Sequence, residues 1–419
     1  MYRAIKEKSR VGYIIPNIIE DTLCDMLADC CGIARQNKYV SSSYSVALKQ
    51  KIKNHIQDLF SLGKTNYENN ELFYSLYYLP NNIFKIWVPL TDLMYRKLLK
   101  TNMCALELGA GPGTSTFGLL EFYREMALIN PQQIYRIEID VVEKQNGFIV
   151  IFKNVLQEYI NTLPKNLKVI LNNCICTEIF GEFTFLKERK YDLIFASNMF
   201  NLNEKFGDDY FFTCCKNLKP FLNENSSMIF IEPGEHIISD KFKKTRNYVE
   251  SEGILHIFSP CCCHFQQEHI RCGQFAVAHI RNIQSKILDL LSEFGIAPTK
   301  KGTHSFDYVV FRNDGLNKYE PTLRRRTKLN DVDWTKIGER VNVVAGVLSV
   351  NYKDGKVGLL LCDGTLQNKV WLNLSAEDLT FHRIDVDIIR GEKIDLKGAV
   401  IVGCNKLSIS KNTEIEVSF

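Results

Sequence analysis

The stretch that most constrains this chain is MCALELGAGPGT, residues 103–114. Five of its first six residues are apolar or small, and Gly109, Gly111 and Gly113 follow in alternation. The next residues, TSTFGLLEFYREMALI, place apolar side chains three and four apart. A strand that turns through glycines into an amphipathic helix predicts a βα unit, with the helix packed back onto a sheet. The pattern then repeats. IYRIEID, LKVILNNC, YDLIFASNMF, SSMIFIEPG and FDYVVFRN read as strands, and NGFIVIFKNVLQEYINTL and YFFTCCKNLKPFL as helices between them. Such alternation predicts a mostly parallel sheet covered by helices on both faces, over residues 101–313.

The flanks read differently. Residues 1–100 carry helical spacing in NIIEDTLCDMLADCCGIARQ and ALKQKIKNHIQDLFSLG, and are predicted to form a helical N-terminal cap. Residues 314–335 are polar, contain Pro321 and carry Arg324, Arg325, Arg326 and Lys328, the pattern of a basic linker. Residues 336–419 hold five strand candidates joined by short turns: RVNVVAGVLSV, KVGLLLCDGT, NKVWLNL, EKIDLKGAVIV and KLSISKNTEIEVSF. Five strands in so short a span predict a small all-β barrel of the oligonucleotide-binding (OB) type. The expected fold class is therefore α/β, a Rossmann-like domain between a helical cap and an OB-like barrel.

Composition narrows the setting. A hydrophobic content of 45% with 24% charged residues is that of a globular chain. No apolar run is long enough to span a bilayer, so no membrane partner is expected. The N-terminus lacks the apolar core of a secretory signal, which predicts a cytoplasmic location where thiols stay reduced. The 14 cysteines then form no disulfide framework, and most read as small core residues. A net charge of +4 does not by itself demand a nucleic-acid partner.

The glycine turn carries the chemistry. Glycines after the first strand of a doubly wound sheet let a nucleotide-like ligand approach backbone N–H groups. Asp140 ends the second strand candidate, where a ribose-binding carboxylate belongs. A dinucleotide enzyme would place its third glycine three residues after the second, and here the glycines alternate. ALELGAGPGT resembles motif I of class I S-adenosylmethionine-dependent methyltransferases. The resemblance implies that Glu107 positions the methionine part of the cofactor. It implies also that Gly109, Gly111 and Gly113 approach the cofactor closely, that Asp140 holds the ribose hydroxyls, and that Ser197 joins this set. A narrower resemblance covers roughly residues 75–312, through YLPNNIFKIW, LELGAGPGTSTFGLLEFY, YDLIFASNMFNLNE, IEPG followed by FSPC, and FDYVVFRN. These blocks are similar to a methyltransferase-like family associated with the mitochondrial small ribosomal subunit. That family carries a cysteine-rich insertion that holds an iron–sulfur cluster in its mitochondrial members.

The matching stretch here, FSPCCCHFQQEHIRC, departs from the family pattern in its spacing. In extended backbone Cys261 and Cys263 point to one side and Cys262 to the other. Cys272 can fold back as a third ligand, with His264, His269, Cys174 or Cys176 as a fourth. Thiolates suit an iron–sulfur cluster, with zinc as the alternative, while core packing is the plainer reading. A cysteine nucleophile is disfavoured by position.

The acceptor is less marked. SNMFNLN lacks the proline pair found after the fourth strand in many amino methyltransferases acting on bases. Asn198 and His236 are the catalytic candidates, set against a helix cap or turn and a surface histidine. The acceptor is expected near Ser197–Asn201 and Glu232–His236. On the barrel, Tyr352, Lys353, Lys356, Lys369 and Trp371 fall where nucleic-acid barrels place basic and stacking groups. Barrels of this shape also bind proteins and sugars. The expected activity is S-adenosylmethionine-dependent methylation of RNA, either ribosomal RNA or the small ribosomal subunit in assembly, with no DNA partner. Two other readings stay open. One is a non-catalytic cofactor-binding assembly factor, and the other a small-molecule or protein methyltransferase.

Overall fold

The structure, a computed structural model, describes residues 1–61, 70–179, 183–186, 189–200, 209–260, 278–281, 283–296, 303–319, 326–353, 356–363, 365, 370–385 and 391–418. Its main sheet contains β1 (Asn102–Leu108), β2 (Tyr135–Glu143), β3 (Leu167–Cys176), β4 (Tyr191–Ser197), β5 (Leu222–Pro233), β6 (His256–Ser259) and β7 (Thr303–Arg312). The strands lie in the order β3-β2-β1-β4-β5-β7-β6. The first five pair in parallel, and β7 runs antiparallel to both β5 and β6. A short strand, Ala278–Arg281, adds to β7. This is the Rossmann-like, mostly parallel sheet expected from the alternation. Strand order reverses between β1 and β4, so a crevice opens beyond their carboxyl ends.

Alternation along each strand divides the core into two layers. Ala105, Ile137, Ile139, Val141, Leu193, Phe195, Ile229 and Ile231 face one layer. Leu106, Leu108, Val142, Ile194, Ala196, Met228 and Phe230 face the other. Helices α1 (Tyr2–Val11), α2 (Asn17–Cys31), α3 (Val46–Ser61), α4 (Glu71–Asn82), α5 (Trp87–Tyr95), α6 (Thr114–Ile129) and α7 (Asn146–Ile160) fill the first layer. Helices α8 (Asp209–Leu218) and α9 (His236–Ser251) close the second.

The helices of residues 1–100 are thus continuous with the sheet's core rather than a separate unit. Trp87 Nε1 donates to the Gly118 carbonyl at 2.9 Å, seating α5 on α6. Buried Glu20 of α2 accepts from Ser285 Oγ at 2.6 Å and Ile287 N at 3.2 Å, at the start of α10 (Lys286–Glu293). No helix among the described residues is long and apolar enough to cross a membrane.

The C-terminal domain contains β8 (Arg340–Lys353), β9 (Lys356–Cys362), β10 (Val370–Leu374), β11 (Lys393–Gly403) and β12 (Lys406–Ser408). They pair in the order β8-β9-β10-β12-β11, and β11 closes onto β8 to make a five-stranded barrel. A further strand, β13 (Glu414–Ser418), pairs with β11. Helix α11 (Ala376–Phe381) bridges β10 and β11 and starts with a capping box from Ser375 and Asp378. Its closed core includes Val343, Leu359, Leu372, Leu396 and Leu407.

Residues 314–335, expected to be a linker, are anchored at both ends where described. Lys318 Nζ donates to the Gly391 carbonyl at 2.7 Å and pairs with Asp92 at 2.8 Å. Tyr319 OH reaches the same carbonyl at 2.6 Å and Glu392 at 3.1 Å. Tyr2 and Lys6 of α1 also meet Glu392. Arg326 forms a fork–fork pair with Asp395, and Leu329 and Val332 enter the barrel core.

Candidate functional site

The glycine turn lies in the crevice between β1 and β4. Gly109, Gly111 and Gly113 all have left-handed φ angles, of +61°, +53° and +81°. Non-glycine residues reach that region only at a cost, which explains the alternation. At Gly109 the missing side chain matters too: an added Cβ would lie 2.8 Å from Met199 Cγ, in the turn after β4. At Gly111 an added Cβ would meet nothing within 4 Å, so this side of the turn faces open space. Gly113 then starts α6 as its N-terminal cap.

Two buried carboxylates frame the turn. Glu107 of β1 accepts from Thr116 N at 3.1 Å and Thr116 Oγ1 at 2.5 Å. Burial pushes its carboxyl up to about 8, against the hydrogen bonds from Thr116 and Ser115, with nearby Glu143 adding to the rise. Glu143 ends β2, accepts from Gly111 N at 2.8 Å and Gln145 N at 2.9 Å, and so ties the glycine turn to the second strand.

Asp140, the expected ribose acid, is engaged within the sheet. Asp140 lies three residues before the end of β2, and residues an odd number apart face opposite sides of a strand. Its carboxylate accepts from Tyr191 OH at 2.8 Å and Asn173 Nδ2 at 2.9 Å, and pairs with Arg189 Nε at 3.1 Å. Asp140 therefore holds together β2, β3 and β4, and Glu143 takes the place beside the turn. Sequence reasoning missed Glu143 because the strand runs three residues further than IYRIEID suggests.

Beyond β4, the chain turns at Asn198, whose φ is +54° and whose N–H donates to the Ile231 carbonyl at 2.8 Å. This left-handed turn is one that asparagine tolerates, which accounts for Asn198 structurally. Ser197 Oγ is buried with no hydrogen-bond partner. Glu232, fully buried near the end of β5, accepts from Phe200 N at 3.0 Å and leaves Oε2 without a partner. Burial pushes its carboxyl up to about 8, opposed by the Phe200 N–H, the charge of Lys85 and the Met199 N–H. Lys85, between α4 and α5, is 7% exposed and sits 5.6 Å from the Phe306 ring centroid. Burial pushes its ammonium down to about 8, partly offset by Glu232. In the sequence Lys85 reads as one more charge in a helical stretch, and only tertiary packing hides it.

Other expected residues lie elsewhere. His236 opens α9, and its side chain, like Asn201, is outside the described residues. Cys261, Cys263, His264 and Cys272 also lie outside them. Cys174 is half-buried and Cys176 exposed, and no group of three metal-ligating side chains occurs among the described residues. On the barrel, Tyr352 is 59% exposed and Lys356 is exposed, while Trp371 is half-buried and flanks Gly358. The Lys353 and Lys369 side chains are outside the described residues, as are Arg324 and Arg325.

No family model matches the chain, and no curated protein sequence is similar to it. Solved structures do overlap it. An S-adenosylmethionine-dependent methyltransferase from Clostridium acetobutylicum shares 12% identity over 88% of this chain and 96% of its own, with a TM-score of 0.26. A TehB-like SAM-dependent methyltransferase from Corynebacterium glutamicum shares 11% over 64% and 98%, with a TM-score of 0.27. The glycopeptide N-methyltransferase MtfA, complexed with sinefungin, shares 12% identity and a TM-score of 0.23. This chain spans about half of MtfA's length, 49%, with 35% of its own residues. At such scores the fold assignment rests on the chain's own strand order and crevice.

Proposed function

We propose that this chain is an S-adenosylmethionine-dependent methyltransferase that acts on RNA, with ribosomal RNA of the small subunit as the leading acceptor. The observation that carries the first part is the glycine turn at the β1/β4 switch point, open at Gly111 and framed by Glu107 and Glu143. These residues fit the cofactor. Its ribose diol needs acceptors, and its ammonium and sulfonium favour nearby carboxylates. Glu143 would hold the diol, and Glu107 would face the methionine part. When bound, the cofactor supplies an electrophilic methyl group. The chain's part is to align an acceptor with it and exclude water, which by itself accounts for much of a barrier's reduction.

The RNA reading is supported by the barrel. Tyr352 and Lys356 are exposed, and Trp371 alternates outward between core residues Val370 and Leu372. An aromatic and a base on one small barrel suit stacking and phosphate contact. Arg326 adds nothing to that surface, because it is paired with Asp395.

Incubation with labelled S-adenosylmethionine and either total RNA, small subunits or total protein tests the reading. The expected result is label in ribosomal RNA. Label in protein alone would replace the acceptor class, and tight cofactor binding without transfer to any of them would make the chain a cofactor-binding assembly factor.

A further inference from the structure

The chain that leaves β4 is folded back against the glycine turn and held there from β5. Asn198 takes a left-handed φ of +54°, and its N–H donates to the Ile231 carbonyl at 2.8 Å. Phe200 is fully buried, its ring 5.4 Å from that of Phe230 and 4.9 Å from that of Phe211. Its N–H donates to Glu232 Oε1 at 3.0 Å. Phe230 and Glu232 are two residues apart on β5, so they face the same side of the sheet. One strand therefore grips this turn at Asn198 and at both the ring and the backbone of Phe200. Between these anchors stands Met199, which is half-buried. Its side chain lies across Gly109: a Cβ added to that glycine would fall 2.8 Å from Met199 Cγ and 3.2 Å from Met199 Sδ. Gly109 follows Glu107 by two residues, while Gly111 is tied to Glu143. With the cofactor bound as proposed, Glu107 faces its methionine part and Glu143 its ribose, which puts Met199 at the methionine end.

We propose that Met199 is a cofactor-binding residue that covers the cofactor's methionine chain where it crosses Gly109, and that Glu232 is the positioning residue that places it. The inference rests on the methyltransferase reading and adds a wall to that site. A thioether side chain is apolar and polarisable, which suits contact with the carbon chain beside the cofactor's sulfur.

Glu232 acts through a backbone N–H, so what the task requires of it is an acceptor oxygen at that place. Burial pushes its carboxyl up to about 8, so near neutral pH it is largely the neutral acid. A glutamine there presents the same oxygen, and a leucine of similar size does not.

The test needs no methyl transfer. S-adenosylhomocysteine is titrated by calorimetry at pH 7 into the wild-type chain and its variants. Met199→Ala should lower affinity about tenfold, the worth of a buried apolar side chain. Glu232→Leu should lower it by a similar factor, while Glu232→Gln should stay within about twofold because the Phe200 N–H keeps its acceptor. In the Met199→Ala background, Glu232→Leu should change affinity by less than about twofold, since the group it positions is gone. Asn198→Val strains the left-handed turn without touching Glu232, and should repeat both the loss and its dependence on Met199 even where Glu232→Leu does not fold. In protein labelled with carbon-13 at its methionine methyls, the resonance missing from Met199→Ala should shift when S-adenosylhomocysteine binds. Unchanged affinity in Met199→Ala, or losses from Glu232→Leu and Asn198→Val that persist in full without Met199, would overturn the proposal. Failure of the methyltransferase reading shows separately, as S-adenosylhomocysteine that does not bind the wild-type chain, and the proposal falls with it.

Discussion

Glu107, Glu232 and Lys85 are three ionisable side chains the fold removes from water, and each leaves a signature in the pH dependence of stability. The carboxyls of Glu107 and Glu232 are pushed up to about 8 by burial, so the folded chain holds protons that the unfolded chain releases above its ordinary value of 4.5. Their contribution is fully present below that value and is lost as pH rises toward 8. Lys85, pushed down to about 8, works in the opposite sense: its contribution is fully present above its ordinary 10.5 and is lost as pH falls through 8. Thermal unfolding followed from pH 5 to pH 8 should therefore show falling stability. In Glu232→Gln the fall should be shallower, with the variant melting above the wild type at pH 8 and near it at pH 5. Parallel curves for the two proteins would mean that Glu232 is not desolvated as described. At this scale the sequence was informative about backbone and silent about burial. The alternation of Gly109, Gly111 and Gly113 announces left-handed turns because few other residues adopt them. Nothing local tells that Lys85 is enclosed, or that Glu143 rather than Asp140 reaches the turn, because both depend on where strands end and what packs over them.

At the scale of elements, the βα alternation from β1 to β5 was readable because hydrophobic period and glycine placement agree. The antiparallel insertion of β7 between β5 and β6 was not, since its pairing joins residues distant in sequence. The junction of α1, α5 and β11 is a second case. Lys318 sits in a stretch whose polarity reads as a solvated linker, yet it is buried against Asp92, the Gly391 carbonyl, Tyr319 and Glu392. Burial opposes its charge, but Asp92, Tyr319, Glu392 and Tyr2 together hold the ammonium well above its ordinary range. Breaking a buried pair by removing one partner costs about 3–5 kcal/mol, because the other charge is left uncompensated. Lys318→Met should destabilise the chain by about that amount, measured by urea unfolding. It should also split one unfolding transition into two as the barrel separates from the sheet. A single unshifted transition would show that the junction does not couple the domains.

For the whole molecule, crevice and barrel have separate origins in the chain. The crevice follows from the strand-order reversal between β1 and β4, and the occupant proposed for it from Glu107, the glycines and Glu143. The barrel was readable as five short strands, and pairing of β8 with β11 closes it. The central claim is that the turn between β1 and α6 binds S-adenosylmethionine through Glu143. A calorimetric titration of S-adenosylmethionine into the wild-type chain and into Glu143→Gln tests it most directly. The account predicts one saturable site in the wild type and affinity lower by about tenfold or more in the variant, the worth of a charge-assisted hydrogen bond. No binding to the wild type, or equal affinity in both, would contradict it.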